Sequence, residues 1–298
     1  MTRNLADRFL HVCYNCAIEE LDTTVSRFET ALDLTCRMRS PTATSDGTLL
    51  GFTSPIESSA AFLYDARGPR SSPALEVQGW SRPTVIGAPP SEPEMVGIHA
   101  LGFVVDDVDE RCDALLRLGC TRIGDLKPND NLVVQRLRDP QGVGIDLVGR
   151  GLSSRERTCG LSHVRIVCSD LTISLKWYQR FGFAVVAQST GFDGDPASAC
   201  LRLAANDMDL WLVQSTGSLA RTSMAAPANR LGLFRFATRV ESVTEAAAEL
   251  ASCGILVVAG PTTVALAGTS LPALTIAIVR DPDGVLYELV ERPATAFR

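Results

Sequence analysis

The chain has 298 residues, 46% of them hydrophobic, so it can bury one large core or the cores of two domains. Its net charge of −6 and its pI near 5.2 argue against nucleic acid or an anionic membrane surface as the main partner. No apolar run has the length that a membrane-spanning helix needs, and the first residues lack the apolar segment of a secretion signal.

Nine cysteines are scattered along the chain. Cys13 and Cys16 form a single C-x-x-C pair, and no second pair exists to complete a zinc site. Both lie in a strand-like segment, in which residues three apart face opposite sides. We therefore expect buried thiols in a reducing compartment, which predicts a cytoplasmic protein.

The first quarter of the chain predicts a strand, a helix and three strands. Residues 9–16 favour a strand, and residues 19–32 have apolar side chains at helical spacing. Three further strand candidates, separated by Gly, Pro and Ser, lie at 48–53, 59–66 and 74–80. A proline-rich stretch at 83–93 then predicts an extended connector.

The same order of elements returns three times. The predicted helices of these later units lie at 108–118, 171–181 and 243–253. The four predicted units span residues 1–82, 95–152, 158–218 and 228–298. A polar stretch at 150–160 is suitable for a linker, so the predicted domains are residues 1–152 and 158–298.

Two turn-and-strand segments are nearly the same. Residues 138–148 (RDPQGVGIDLV) and 280–290 (RDPDGVLYELV) are identical at seven of eleven positions. Asp-Pro-x-Gly is a strong turn signal, and β-forming residues follow it. The interior acid is Asp146 in one copy and Glu288 in the other, so the repeat indicates an internal duplication.

Four βαβββ units, with His11 or His163 on an opening strand and DPxGxxxEL before a closing strand, resemble the vicinal oxygen chelate superfamily. This superfamily includes glyoxalases, bleomycin-resistance proteins and extradiol dioxygenases. The resemblance covers nearly the whole chain and implies an α+β fold in which the units pair into two cup-shaped, curved mixed sheets. It further implies a metal ion in a cup, held by ligands from the first and last strands, but it does not define the reaction.

Pairing consecutive units, the resemblance places His11, Glu76 and Asp146 in the cup of the first two units. Ala100 takes the fourth position there, and His99 can replace it only if the strand register slips by one. The three predicted ligands would suit Fe, Mn, Ni or Zn as a divalent ion that acts as a Lewis acid. The alternative is that both carboxylates are solvated wall residues and His11 is a satisfied strand histidine.

The same pairing places His163, Trp211, Arg235 and Glu288 in the cup of the last two units, with His163 and Glu288 as metal ligands. Arg235 stands where an extradiol dioxygenase has the second histidine of its iron site, which argues against a standard enzyme of that type. Arg165 lies two residues after His163 and faces the same side. We predict Arg235 and Arg165 as catalytic residues that recognise an anionic oxygen. The alternative is a buried salt bridge between Arg235 and Glu288.

These features predict a small-molecule enzyme of the superfamily, a divalent-metal-assisted lyase, isomerase or atypical oxygenase acting on an oxygenated organic substrate. The alternative is a non-catalytic protein of the bleomycin-resistance type that sequesters an antibiotic or metabolite. Acid and imidazole groups that converge in the cups favour the enzyme. The expected partner is a small molecule rather than nucleic acid or a membrane, and both a monomer and a homodimer are compatible with the sequence.

Overall fold

The computed structural model describes residues 4–91, 94–126, 134–149, 159–191, 196–204, 208–217, 227–265 and 273–297. The predicted domain boundary at 152–158 lies outside these residues. Within them, no helix combines the length and the apolar character needed to cross a membrane.

Each of the four units contains one α-helix and a set of strands in the predicted order. The first unit contains β1 (Ala6–Ala17), α1 (Leu21–Leu32), β2 (Thr35–Arg39), β3 (Ala43–Ser45), β4 (Ile56–Tyr64) and β5 (Ala74–Arg82). The second contains β6 (Gly97–Val105), α2 (Val108–Arg117), β7 (Thr121–Leu126), β8 (Val134–Arg138) and β9 (Gly144–Gly149).

The other two units repeat this plan. The third contains β10 (Gly160–Cys168), α3 (Leu171–Gln179), β11 (Ala184–Ser189), β12 (Ser198–Arg202) and β13 (Asp209–Gln214). The fourth contains β14 (Gly232–Val240), α4 (Val243–Ser252), β15 (Val257–Ala265), β16 (Ala273–Arg280) and β17 (Leu286–Glu291). The predicted α+β fold of four βαβββ units is confirmed.

One predicted strand, at 48–53, is wrong. Residues Thr48–Leu50 form a short 3₁₀ turn, which Gly51 ends with a φ of 84°. That left-handed conformation suits glycine and cannot continue a strand. The second strand of the unit is instead β2, which directly follows α1.

The pairing of the units differs from the prediction. One sheet has the order β15-β16-β17-β14-β1-β5-β4-β2, with β3 beside β4. The other has the order β11-β12-β13-β10-β6-β9-β8-β7. The first unit therefore shares a sheet with the fourth, and the second with the third. We call the concave face of the first sheet cup A and that of the second sheet cup B.

The first and second units do not share a sheet, and neither do the third and fourth, because the two members of each pair lie back to back. Both sheets and all four helices contribute to one large hydrophobic core. Across it, Phe28 of α1 packs on Phe103 of β6, with ring centroids 6.0 Å apart. The helices thus pack between the two sheets and join them, instead of lying on one side of a single sheet shared by the first two units. The inner edge of β1 pairs with β14.

The aspartate of each DPxG turn joins consecutive units across this core. One carboxylate oxygen of Asp139 accepts hydrogen bonds from the backbone N–H groups two and four residues ahead, at 2.9 Å each. The other oxygen accepts a hydrogen bond of 2.6 Å from the Tyr14 hydroxyl of the preceding unit. Asp281 repeats this arrangement with Tyr178, at 2.8 Å. The repeated motif is therefore a structural junction.

Candidate functional site

The structure brings the predicted site residues together in a different grouping. Cup A contains four of them, His11, Glu76, Arg235 and Glu288. Cup B contains the other three, Asp146, His163 and Arg165. The predicted metal set of His11, Glu76 and Asp146 is wrong as a group, because Asp146 lies on β9 in the other sheet.

Strand register explains why the four side chains of cup A converge. At the seam between β1 and β14, Cys13 lies opposite Arg235. Cys13 comes two residues after His11 in β1. The parallel strand on the other side of β1 places Glu76 beside Cys13. On the far side of β14, β17 places Glu288 beside Ala237, which is itself opposite His11.

Cup B has the same register with different residues. Arg165 of β10 is opposite Ala100 of β6, and His163 is opposite Gly102. Trp211 lies beside Arg165, where Glu76 lies in cup A. Asp146 lies beside Gly102 and corresponds to Glu288.

The two carboxylates of cup A share one guanidinium group. Nη2 of Arg235 lies 2.9 and 3.2 Å from the two carboxylate oxygens of Glu76. Nε of Arg235 lies 2.8 Å from Oε2 of Glu288, an ion-pair contact whose N–H direction is not aligned for a hydrogen bond. All three side chains are less than a tenth exposed. The triad is therefore a buried charge network.

This network keeps Arg235 and Glu288 ionised. Burial acts to lower the pKa of Arg235, but the carboxylates of Glu76 and Glu288 outweigh it and raise that pKa above its usual value. Burial acts to raise the pKa of Glu288, but Arg235 and His11 lower it to about 2. Cup A therefore holds fixed charges at neutral pH.

His11 stands beside this network without a hydrogen bond at Nε2. This nitrogen lies 3.3 Å from Oε2 of Glu76 and 3.7 Å from Oε2 of Glu288. Within the described residues, no acceptor or donor meets it at hydrogen-bond geometry. The ring stands edge-on to Phe62, with centroids 6.1 Å apart, and the side chain is 14% exposed. Nε2 is thus a buried ring nitrogen that lies beside two carboxylates without a well-aligned hydrogen bond in the described residues.

Apolar side chains from both units border cup A. The 3₁₀ turn of the first unit contributes Leu49 and Leu50, and Phe52 follows it. These three pack beside Phe234 and Ile278 of the fourth unit. A turn from one half of the chain therefore packs against strands from the other half beside the charge network.

The C-x-x-C pair is divided between the two faces of β1. Sγ of Cys13 lies 3.6 Å from Oε1 of Gln78 in cup A, whereas Cys16 packs in the hydrophobic core. Burial and the charge of Glu76 raise the pKa of Cys13 well above its usual value. Cys13 is therefore a neutral thiol at physiological pH.

In cup B, Asp146 is fully buried and bonded to an arginine from the neighbouring unit. Its Oδ2 accepts a hydrogen bond of 2.7 Å from Nε of Arg165, and its Oδ1 accepts one of 3.2 Å from Nη2 of the same residue. Burial acts to raise the pKa of Asp146, but Arg165 and His163 outweigh it and lower that pKa below its usual value. Arg165 thus takes the part that Arg235 has in cup A.

His163 is fixed by packing. Its ring stacks on Trp211, with centroids 3.8 Å apart and planes 10° apart. Nδ1 lies 3.0 Å from the Ser162 hydroxyl and Nε2 lies 3.5 Å from Oδ2 of Asp146. A Cβ added to Gly102 would meet the ring at 2.0 Å, so the imidazole occupies the space that this glycine leaves. Only 1% of His163 is exposed.

Arg136 and His99 also lie near the predicted site residues of cup B. Sequence reasoning missed Arg136, which lies opposite Asp146 in the β8–β9 pairing. The alternation of β8 beside the DPxG turn is the signal that could have placed it on the concave face. His99 lies at a shift in the β6–β10 register, but its Nε2 contacts the carbonyl of Met95 at 2.5 Å and does not replace Ala100.

The donor groups of the cups do not fit the predicted divalent ion. Donor atoms bind such ions at about 2.0–2.2 Å. An ion held by Glu76 and Glu288 would therefore lie next to the Arg235 guanidinium, and the two cations would repel each other. Among the described residues of cup B, His163 and Asp146 are the two candidate metal ligands that lie together. Across the described part of the chain, no group of three or more His, Cys, Asp or Glu residues is positioned to hold a metal ion.

Comparisons with known proteins agree with this architecture. The family model of the Glyoxalase/Bleomycin resistance protein/Dioxygenase superfamily matches residues 160–289. Glyoxalase I from Zea mays is 20% identical, with a TM-score of 0.70 over 96% of this chain and 92% of that chain. A putative dioxygenase from Bacillus subtilis subsp. subtilis str. 168 is 13% identical, with a TM-score of 0.63 over 98% of this chain and 87% of that chain.

No curated protein sequence matches the chain. At such identities the structural likeness shows the fold alone, and the family model adds the sequence pattern of the second half. The family model thus covers the third and fourth units, and the shared fold extends over nearly the whole chain.

Proposed function

We propose that cup A is the functional site of a small-molecule enzyme in which His11 transfers a proton to or from an oxygenated organic substrate. The observation that supports this is the buried Nε2 of His11, which has no hydrogen-bond partner in the described residues and lies beside two carboxylates. Histidine is the side chain best suited to gain and lose a proton near neutral pH. A lyase or an isomerase reaction of this kind is the function that we infer.

The other residues of the network position His11. Glu76 and Glu288 lie close enough to stabilise the imidazolium that forms when His11 takes a proton. Arg235 holds both carboxylates in place, so it acts as a positioning residue rather than as the anion receptor predicted from the sequence.

The charges of cup A restrict the substrate. Two carboxylates and one guanidinium leave a charge of −1 when His11 is neutral, and no excess charge when it is protonated. An anionic substrate would be repelled by the first state and would gain little from the second. The substrate that fits is neutral or cationic. In this proposal the positive charge of Arg235 takes the place of a resident metal ion.

Sequestration of a cationic ligand without catalysis is the second candidate. Its specific support is the combination of excess negative charge with the aromatic side chains of Phe52, Phe62 and Phe234 around cup A. Aromatic faces and carboxylates together attract amine-bearing ligands. In this case His11 would only contact the ligand.

The test is proton exchange in heavy water. A panel of neutral α-hydroxy ketones is incubated with the protein, and loss of the exchangeable C–H signal is followed by NMR. His11→Gln should lower the exchange rate by a factor of at least about 100, as for other general bases. His163→Gln is the matched control in cup B, and it should leave the rate within about threefold of the wild-type value because this step does not use cup B.

Chelator treatment separates this proposal from metal-assisted chemistry. The exchange rate should survive dialysis against EDTA, with metal content followed by elemental analysis. Loss of activity that one divalent ion restores would contradict the proposal and support the metal-assisted enzyme predicted from the sequence. Equal exchange by wild type and His11→Gln, together with saturable binding of an amine, would favour sequestration.

A further inference from the structure

Cup B carries an excess of positive charge, the reverse of cup A. Strand alternation puts four guanidinium groups on its concave side, from Arg136, Arg138, Arg165 and Arg202, against the carboxylates of Asp146 and Asp209. Arg202 and Asp209 pair with each other. Both oxygens of Asp146 are bonded to Arg165. Arg136 reaches the same carboxylate only at 3.9 Å, which is too long for a hydrogen bond.

Arg136 is therefore a half-buried cation whose nearest described counter-ion, Asp146, is already bonded to Arg165. Its Nε is inaccessible to solvent and has no acceptor among the described residues, while its side chain is 31% exposed. Burial and the charge of Arg165 lower the pKa of Arg136 to about 10, although Asp146 raises it, so the group stays protonated at neutral pH. A cation in this position loses solvation that Asp146, at 3.9 Å, restores only in part.

A second buried donor lies on the same face. The indole N–H of Trp211 has no acceptor at hydrogen-bond geometry among the residues that the structure describes, although the Cys200 thiol lies beside it on the neighbouring strand. Strand alternation puts Trp211 with Arg165, and Arg136 with Asp146 and His163, all on the concave side. A ligand with acceptor atoms can therefore satisfy donors on both sides of the Arg165–Asp146 pair.

We propose that cup B binds an oxyanion of a small molecule, a carboxylate or a phosphate, through the guanidinium of Arg136. The planar guanidinium matches either anion with two parallel hydrogen bonds. Arg165 holds Asp146 away from the ligand, and the remainder of the ligand extends toward Trp211. This site is independent of proton transfer in cup A.

The test is calorimetric titration with sodium benzoate and, separately, with inorganic phosphate, with chloride adjusted to keep the ionic strength constant. Arg136→Gln should weaken binding at least tenfold. Arg117→Gln is the matched control, because it removes the same charge from an exposed arginine at the end of α2, outside cup B. It should bind within twofold of wild type. His11→Gln should also bind as wild type does, so failure here and failure of the cup A proposal are distinguishable.

Thermal unfolding without ligand gives a second readout. If Arg136 is an uncompensated cation, Arg136→Gln should leave Tm unchanged or raise it. A fall of several degrees would instead make Arg136 the structural partner of Asp146 and contradict the proposal. Failure of both anions to bind wild type, or equal binding by Arg136→Gln, would also contradict it. Binding of benzoate alone identifies an organic carboxylate, and binding of both identifies a general oxyanion site.

Discussion

The two cups have the same strand register but opposite charge and opposite use of histidine. In cup A the arginine is on β14, and two carboxylates surround it. In cup B the arginine is on β10, its cross-strand neighbour is Ala100, and a tryptophan replaces one carboxylate. The position of one arginine relative to the seam thus determines which nitrogen lacks a hydrogen bond among the described residues: Nε2 of His11 in cup A, and Nε of Arg136 in cup B.

In both cups a buried carboxylate on a central strand is neutralised by an arginine of the chain itself. Each closing-strand carboxylate, Glu288 or Asp146, contacts an arginine at 2.8 or 2.7 Å. A buried carboxylate without such a partner would cost several kcal/mol. Substitutions in one cup, each with its counterpart in the other, test this difference between the cups.

The largest effect is expected from removing the central arginine. Arg235→Met leaves Glu76 and Glu288 buried without a counter-ion, so we expect a loss of about 3–5 kcal/mol in the free energy of unfolding at pH 7. Arg165→Met is the counterpart, and its loss should be smaller by at least about 1 kcal/mol because Arg136 can move onto Asp146. Urea denaturation measures both, and equal losses would contradict the inequality of the cups.

An intermediate effect is expected from filling the space below His163. Gly102→Ala places a Cβ 2.0 Å from the imidazole ring, so the ring must move and the free energy of unfolding should fall by about 1–3 kcal/mol. In cup A the corresponding residue is already Ala237, and Ala237→Gly should cost only about 0.5–1 kcal/mol. Adding His163→Ala to Gly102→Ala should recover part of the loss. No recovery would show that the clash lies elsewhere.

The smallest effect concerns the junctions behind the cups. Burial raises the pKa of Asp281 to about 7, whereas an exposed aspartate titrates near pH ~4. The folded chain therefore binds this proton more tightly, and the stability that it provides is complete below pH ~4 and is lost as the pH rises through about 7. Between pH 5 and 8 the free energy of unfolding should fall by more than about 1 kcal/mol.

Two variants check the origin of this pH dependence. Asp281→Asn keeps an acceptor for the turn and should remove most of the slope. Asp139→Asn should change the slope less, because Arg27 lies 3.5 Å from Asp139 and partly offsets the effect of burial on its pKa. An unchanged slope in Asp281→Asn would assign the pH dependence to other groups.

Much of the fold could be predicted because it depends on local pattern. Helical spacing placed all four helices to within about two residues, and the DPxG repeat located the closing strands. The strand predicted at 48–53 failed because Gly51 needs a positive φ that a hydrophobic pattern does not reveal. Local pattern also placed each site residue on the concave face of its own unit.

Pairing of the units could not be read in the same way, because it depends on contacts between distant segments. One signal was present in the charges. Pairing the first unit with the second puts Glu76 and Asp146 together with no arginine closer than Arg136, which lies 3.9 Å from Asp146. The observed pairing gives each cup an arginine within 3 Å of a carboxylate. Balancing buried charge would have favoured the observed grouping. The missing hydrogen bond of His11 is a matter of atomic geometry and has no signature in the sequence.

The pairing of the first unit with the fourth has a consequence for how the chain matures. β1 and β14 lie near opposite ends of the polypeptide, so cup A can close only after most of the chain has left the ribosome, whereas β6 and β10 can meet earlier. Until then β1 exposes an open strand edge. Cleavage between residues 149 and 159 would leave each fragment with half of both cups, so the fragments could restore either cup only by associating as a heterodimer.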